Sequence, residues 1–248
     1  MNVAIKKKGL YSCFLAILIF LNLGAQTFSE ERVRETTHFI IVTYENNLQY
    51  LEEIISSLEE NYERILTLLE MEEKIPKIVV RIYPTIKDFH QACNMVGAPT
   101  WAVGTAWGKS EFRMVSPLCP DLSISYQVMT HKLPVHELTH VMVSNIVNPA
   151  SIPYWLWEGI ALYMAGQSVN LALLTHLKEG KFPDFKDLNR LEYTFQFGYS
   201  LVEFIIERWG IFHLRSLLLA YGNIEKAMGI SPESFYEKWK EFVKQKYF

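Results

Sequence analysis

Cysteine is scarce: the chain has three, Cys13, Cys93 and Cys119, and no two of them have the CxxC spacing of a zinc ribbon or a dithiol redox site. There is no internal repeat and no low-complexity segment, which excludes solenoid and fibrous architectures. Past residue 25, no stretch is apolar enough for long enough to span a bilayer. Nor does the body of the chain carry a basic run. Its formal charge is −3, and residues 1–25 contain three lysines and no acid, so without them the charge becomes −6. A mildly acidic body without a basic patch argues against nucleic acid as a partner.

The one long apolar run is at the N-terminus. Lys6, Lys7 and Lys8 precede Leu10–Leu23, followed by Gly24, Ala25 and Gln26, the charged, apolar and small-residue layout of a secretory signal. The run is short for a span and contains Tyr11, Ser12 and Asn22. Residues 1–25 are therefore read as a signal peptide, with an N-terminal anchor as the alternative. Both place the rest of the chain outside the cytoplasm, secreted or periplasmic, with no membrane span in the mature form unless that segment is retained. In an oxidising compartment Cys93 and Cys119 could pair, or stand as two separate thiols.

What is abundant is apolar side chain, 50% of 248 residues, with 14% aromatic. That suffices for a large packed core. "HFIIVTY" (38–44) and "KIVVRIY" (77–83) are β-branched and aromatic and read as buried strands. Between them, 47–71 has apolar residues at helical spacing with acids on the other face. A short helix is expected over 85–94, then a hairpin of "TWAVGTAW" and "EFRMVS" turning at Gly108, Lys109 and Ser110. From Pro134 the strand signals stop, and helices are expected at 134–147, 154–166, 196–209, 211–221 and 232–246. The fold class is α+β: a sheet-containing N-terminal lobe (26–132) followed by an all-helical lobe (133–248), together one unit.

The helical lobe begins with "HELTH", 136–140. On a helix His136 and His140 project from the same face and can reach one ion. A catalytic zinc takes three protein ligands and keeps a fourth position for water. The next seventeen residues, Val141 to Trp157, contain no Asp, Glu, His or Cys, so the first candidate for the third ligand is Glu158. It stands in "PYWLWEGIALYMAG" among aromatic, aliphatic and glycine neighbours. A carboxylate there is costly to bury alone, and a dication removes the difficulty. Gly159 beside it would let this helix approach the histidine helix closely. His38, His90, His131, His176 and His213 lack ligand spacing.

With "HELTH", "PYWLWEGIALY" and the downstream "FGYSLVEFIIERWG" behind a strand, helix, strand and hairpin, the chain resembles the peptidase MA-like family of gluzincin zinc metallopeptidases. More distantly it resembles the thermolysin, aminopeptidase N and clostridial collagenase families. The metzincin pattern fails, because Val143 and Ile146 occupy the places of its glycine and third histidine. The resemblance implies a thermolysin-like zincin architecture, Zn2+ held by His136, His140 and Glu158, and a peptide or protein substrate. It implies Glu137 as general base toward a zinc-activated water. It also implies a downstream tyrosine at the oxyanion, for which Tyr199 fits by position and by an expected helix start, with a core aromatic as its other reading. Finally it implies a substrate strand at Ala102, Val103, Gly104, Thr105 and Trp107, with Trp101 beside it.

One departure stands out: Leu162 occupies the place of the acid that orients a histidine in thermolysin-like enzymes. Asp184, Asp187, Glu203 or a backbone carbonyl is left to do so. Two further readings stay open: a catalytically silent binding or assembly protein on the same fold, and a zinc hydrolase of a non-peptide amide.

Overall fold

The computed structural model describes residues 31–45, 48–72 and 75–248; the expected signal or anchor at 1–25 lies outside the described residues. Arg32–Glu35 (β1), Phe39–Thr43 (β2), Ile78–Tyr83 (β3), Gly104–Ala106 (β4) and Glu111–Val115 (β5) form one mixed sheet in the order β1-β2-β3-β5-β4. The three inner strands run parallel, and each edge strand is antiparallel to its neighbour. β2 and β3 are rich in β-branched residues, and all three inner strands are largely buried, as strands covered on both faces must be. β1 is a strand the sequence reading did not contain. "RVRE" is exposed at every position, so it has no apolar alternation to read and is defined by its main-chain pairing to β2.

Leu51–Leu68 (α1) connects β2 to β3 and buries Leu51, Ile54, Leu58, Tyr62 and Ile65 at spacings of three and four. It is shorter than expected. At its C-terminal end Glu70 takes positive φ, and the Met71 N–H reaches back to the Leu66 carbonyl, which closes the helix. Ile86–Ala92 (α2) starts where the Thr85 side chain accepts the Asp88 N–H. The β4–β5 hairpin turns through Gly108 at φ +74°, with the Trp107 N–H bonded to the Glu111 carbonyl.

After the sheet come Leu133–Ile146 (α3), Tyr154–Met164 (α4), Thr175–Lys178 (α5), Leu191–Trp209 (α6), Phe212–Leu219 (α7), Ile224–Met228 (α8) and Pro232–Tyr247 (α9). A π-helical turn, Val128–Lys132, runs directly into α3. α6 begins five residues before the expected 196, and the short α5 and α8 were not expected. α3 is buried without interruption from Leu133 to Ser144 and packs on α1, β4 and β5. It therefore carries "HELTH" through the centre of the molecule. Cys93 and Cys119 are buried, separate thiols. Among the described residues no helix is long and apolar enough to cross a membrane.

Candidate metal centre

One turn of α3 separates His136 from His140, and their Nε2 atoms lie 3.0 Å apart. α4 brings Glu158 against both, its Oε2 3.3 Å from His136 Nε2 and 3.6 Å from His140 Nε2. All three residues are buried, and together they could hold a metal ion. Their spacing tests what would fit. Donors bound tetrahedrally at about 2.0–2.1 Å are separated by about 3.3–3.4 Å, and the three observed edges bracket that value. Two imidazole nitrogens at 3.0 Å present facing lone pairs unless one is protonated, and a shared cation resolves the conflict.

The electrostatics of the triad point the same way. Burial alone would lower His136, but a hydrogen bond donated to the Glu158 carboxylate and the charges of Glu137 and Glu158 raise it. Burial dominates at His140 and lowers it. For Glu158, burial opposes ionisation, yet the two histidines hold the carboxyl far below its usual range. The group is thus a buried anion that requires adjacent positive charge.

α4 is fixed on its other face. A Cβ on Gly159 would lie 2.7 Å from the Gly198 carbonyl oxygen of α6, and one on Gly198 would lie 3.0 Å from Gly159 Cα. The close approach that Gly159 allows is therefore to α6, not to the histidine helix as the sequence suggested. Beyond Met164, Arg64 donates to the Met164 carbonyl at 2.6 Å and Lys132 to the Gly166 carbonyl at 2.9 Å, two cations at the negative end of α4. Gly166 at φ +61° turns the chain, and the Gln167 N–H returns to the Leu162 carbonyl.

That turn supplies a partner the sequence reading missed. His136 Nδ1 lies 2.7 Å from Gln167 Oε1. An amide oxygen only accepts, so Nδ1 carries the proton and Nε2 is left with its lone pair toward the centre. Among the acids weighed for this role, Glu203 instead takes Lys246 and the Tyr247 hydroxyl, and Asp184 faces Lys186. The acceptor is thus a neutral side-chain amide, neither one of those acids nor a backbone carbonyl. His140 stacks on Trp157, ring centres 4.1 Å apart, and its Nδ1 has no hydrogen-bond partner.

Glu137 points away from the triad toward the sheet edge. Its carboxylate accepts the Ala106 N–H, and its Oε2 is buried without a partner. Burial, reinforced by the charge of Glu158 and opposed by His136, pushes its pKa up to about 7. Gly104 makes room for it: a Cβ there would sit 2.6 Å from Glu137 Oε1. The Val115 N–H bonds the Val103 carbonyl, and Trp107 bonds Glu111. In that antiparallel register the backbone groups of Gly104 and Ala106 point off the free edge of the sheet.

A cleft of about 620 Å³ opens over these groups. Of the expected substrate strand, Ala102, Val103, Gly104 and Thr105 line it, with Ala106. Trp107 does not: it is exposed, and the Arg113 guanidinium lies 3.9 Å from its ring centre. Trp101, half-exposed, does line the cleft. Tyr199 is not among the lining residues. It lies within α6 rather than at its start, with its ring 5.3 Å from that of Tyr163. The tyrosine that faces the site is Tyr154, four residues before Glu158 on α4. Burial and then the charge and hydrogen bond of Glu158 raise its pKa. The i,i+4 spacing of Tyr154 and Glu158 is the sequence signal that could have found it.

No model of a known family matches the chain, and no curated protein matches it.

Proposed function

We propose that the chain is a zinc-dependent peptidase of the gluzincin type, acting outside the cytoplasm, with a thermolysin-like arrangement of sheet edge, histidine helix and glutamate helix. The observation that carries the reading is the meeting of three buried donors at tetrahedral spacing beside a buried carboxylate that is not one of them. A purely structural zinc site has no use for such a base. The localisation rests on the charged and apolar layout of residues 1–25.

His136, His140 and Glu158 would hold the ion. Zinc bound there supplies Lewis acidity toward a carbonyl and a lowered pKa for water. Glu137, positioned by the Ala106 N–H and the space left by Gly104, withdraws the proton from the attacking water and passes it to the leaving amine. Tyr154 offers a hydroxyl in the same cleft, beside Glu158. The exposed edge of β4 offers Gly104 backbone groups for pairing with an extended substrate.

The test is digestion of a broad peptide library by the chain as purified, after chelation, and after return of zinc. The expected result is cleavage that chelation abolishes and zinc restores. Bound zinc with no peptide turnover would contradict the reading and favour a binding protein, or a hydrolase of a non-peptide amide.

A further inference from the structure

The wall of the cleft is far more specific about charge than about shape. Among the described residues that line it, the only acids are Glu137 and Glu158, and no lysine or arginine is present. Both carboxylates already have a role. Apart from the two histidines and the neutral polar groups of Thr105, Tyr154 and Gln167, the wall is largely apolar, with Met95, Trp101, Ile124, Val128, Met129 and Phe195. An α-ammonium or α-carboxylate brought against the apolar part of the wall, away from those two carboxylates, would lose its water without gaining a counter-charge. A charged side chain would meet the same penalty. Extended backbone, by contrast, finds the outward-facing groups of Gly104 on the edge of β4.

We propose that the cleft takes an internal, uncharged and apolar segment of a polypeptide, so that the chain cuts within its substrate and does not trim an end. This rests on the peptidase reading. Recognition comes from apolar side chains against Met95, Ile124 and Phe195 and from backbone pairing along β4. Both termini of the substrate lie outside the cleft. Val169, on its rim and exposed, is the wall position where an added charge is compatible with folding.

Binding separates this inference from the question of turnover. The zinc-loaded Glu137→Gln chain is titrated with three peptides sharing a central Phe-Leu, followed by tryptophan fluorescence. One is a decapeptide of apolar residues capped by acetyl and amide; one is the same centre as a tetrapeptide with free ends; one is the capped decapeptide with Lys and Glu flanking the centre. The capped apolar peptide is expected to bind about tenfold or more tightly than either of the others. Val169→Lys, in the same background, is expected to narrow the gap for a peptide with an acidic flank.

Equal or tighter binding of the free-ended tetrapeptide, or of the charged decapeptide, would overturn the inference, and so would no binding by any of the three. Stepwise release of residues from one end by the wild-type chain would overturn it while leaving the peptidase reading intact. The expected order of binding without hydrolysis by the wild type would overturn the peptidase reading and leave the occupant of the cleft as proposed.

Discussion

Glu137→Gln is expected to lower kcat/KM for peptide hydrolysis by a factor of about 10²–10⁴ without changing fold or zinc content. The amide has nearly the same shape, and its oxygen can still accept the Ala106 N–H that holds Glu137. What it lacks is the lone-pair basicity to take a proton. The substitution also removes a buried carboxylate whose ionisation burial already disfavours, so no loss of stability should accompany it. Steady-state rates, zinc content and the melting temperature of the two proteins check all three statements. Equal rates would remove Glu137 from the chemistry, whereas a fall in zinc content would mean that it acts on the ligands instead.

The second large effect is expected at a residue that touches no substrate. Gln167→Ala should weaken zinc binding by roughly 10- to 100-fold, because His136 loses the acceptor that fixes its tautomer and ring plane. Gln167→Glu should move the affinity the other way, since a carboxylate on Nδ1 makes Nε2 a better donor. Competition titration against a chromophoric chelator measures both, and circular dichroism of the metal-free proteins shows that neither change acts through unfolding. Unchanged affinity in both variants would reduce the 2.7 Å contact to a packing detail.

How much of this was legible in the sequence depended on the physical kind of signal. The inner strands, α1 and the central helix declare themselves by apolar periodicity, and Glu158 by the contrast between its charge and its neighbours. β1 has no such contrast: all four of its residues are exposed, and only a partner strand makes it a strand. α6 extends back to Leu191 through "LEYTF", where Leu191 and Glu192 are exposed and Thr194 is buried, so its first turn has no clear apolar stripe.

The centre itself shows the same division. His136, Glu137, His140 and Glu158 are read from residue type and spacing, because ligation and basicity are properties of those side chains. Gln167 is not, since a neutral amide acquires its role only from the Gly166 turn that aims it. Gly159 was recognised as a close-approach position, but which helix approaches it is a property of tertiary packing, and α6 is the answer. Tyr199 rested on the resemblance and on a helix start. The structure places it within α6 beside Tyr163 and puts Tyr154 at the cleft.

The central claim is that three side chains from two helices form one zinc site. Anomalous diffraction at the zinc absorption edge, from crystals of protein equilibrated with zinc and washed free of excess, tests it most directly. The account predicts a single strong peak enclosed by His136 Nε2, His140 Nε2 and the Glu158 carboxylate, with Glu137 beside it and not bound. A triad without a peak, or zinc held elsewhere on the chain, would contradict it.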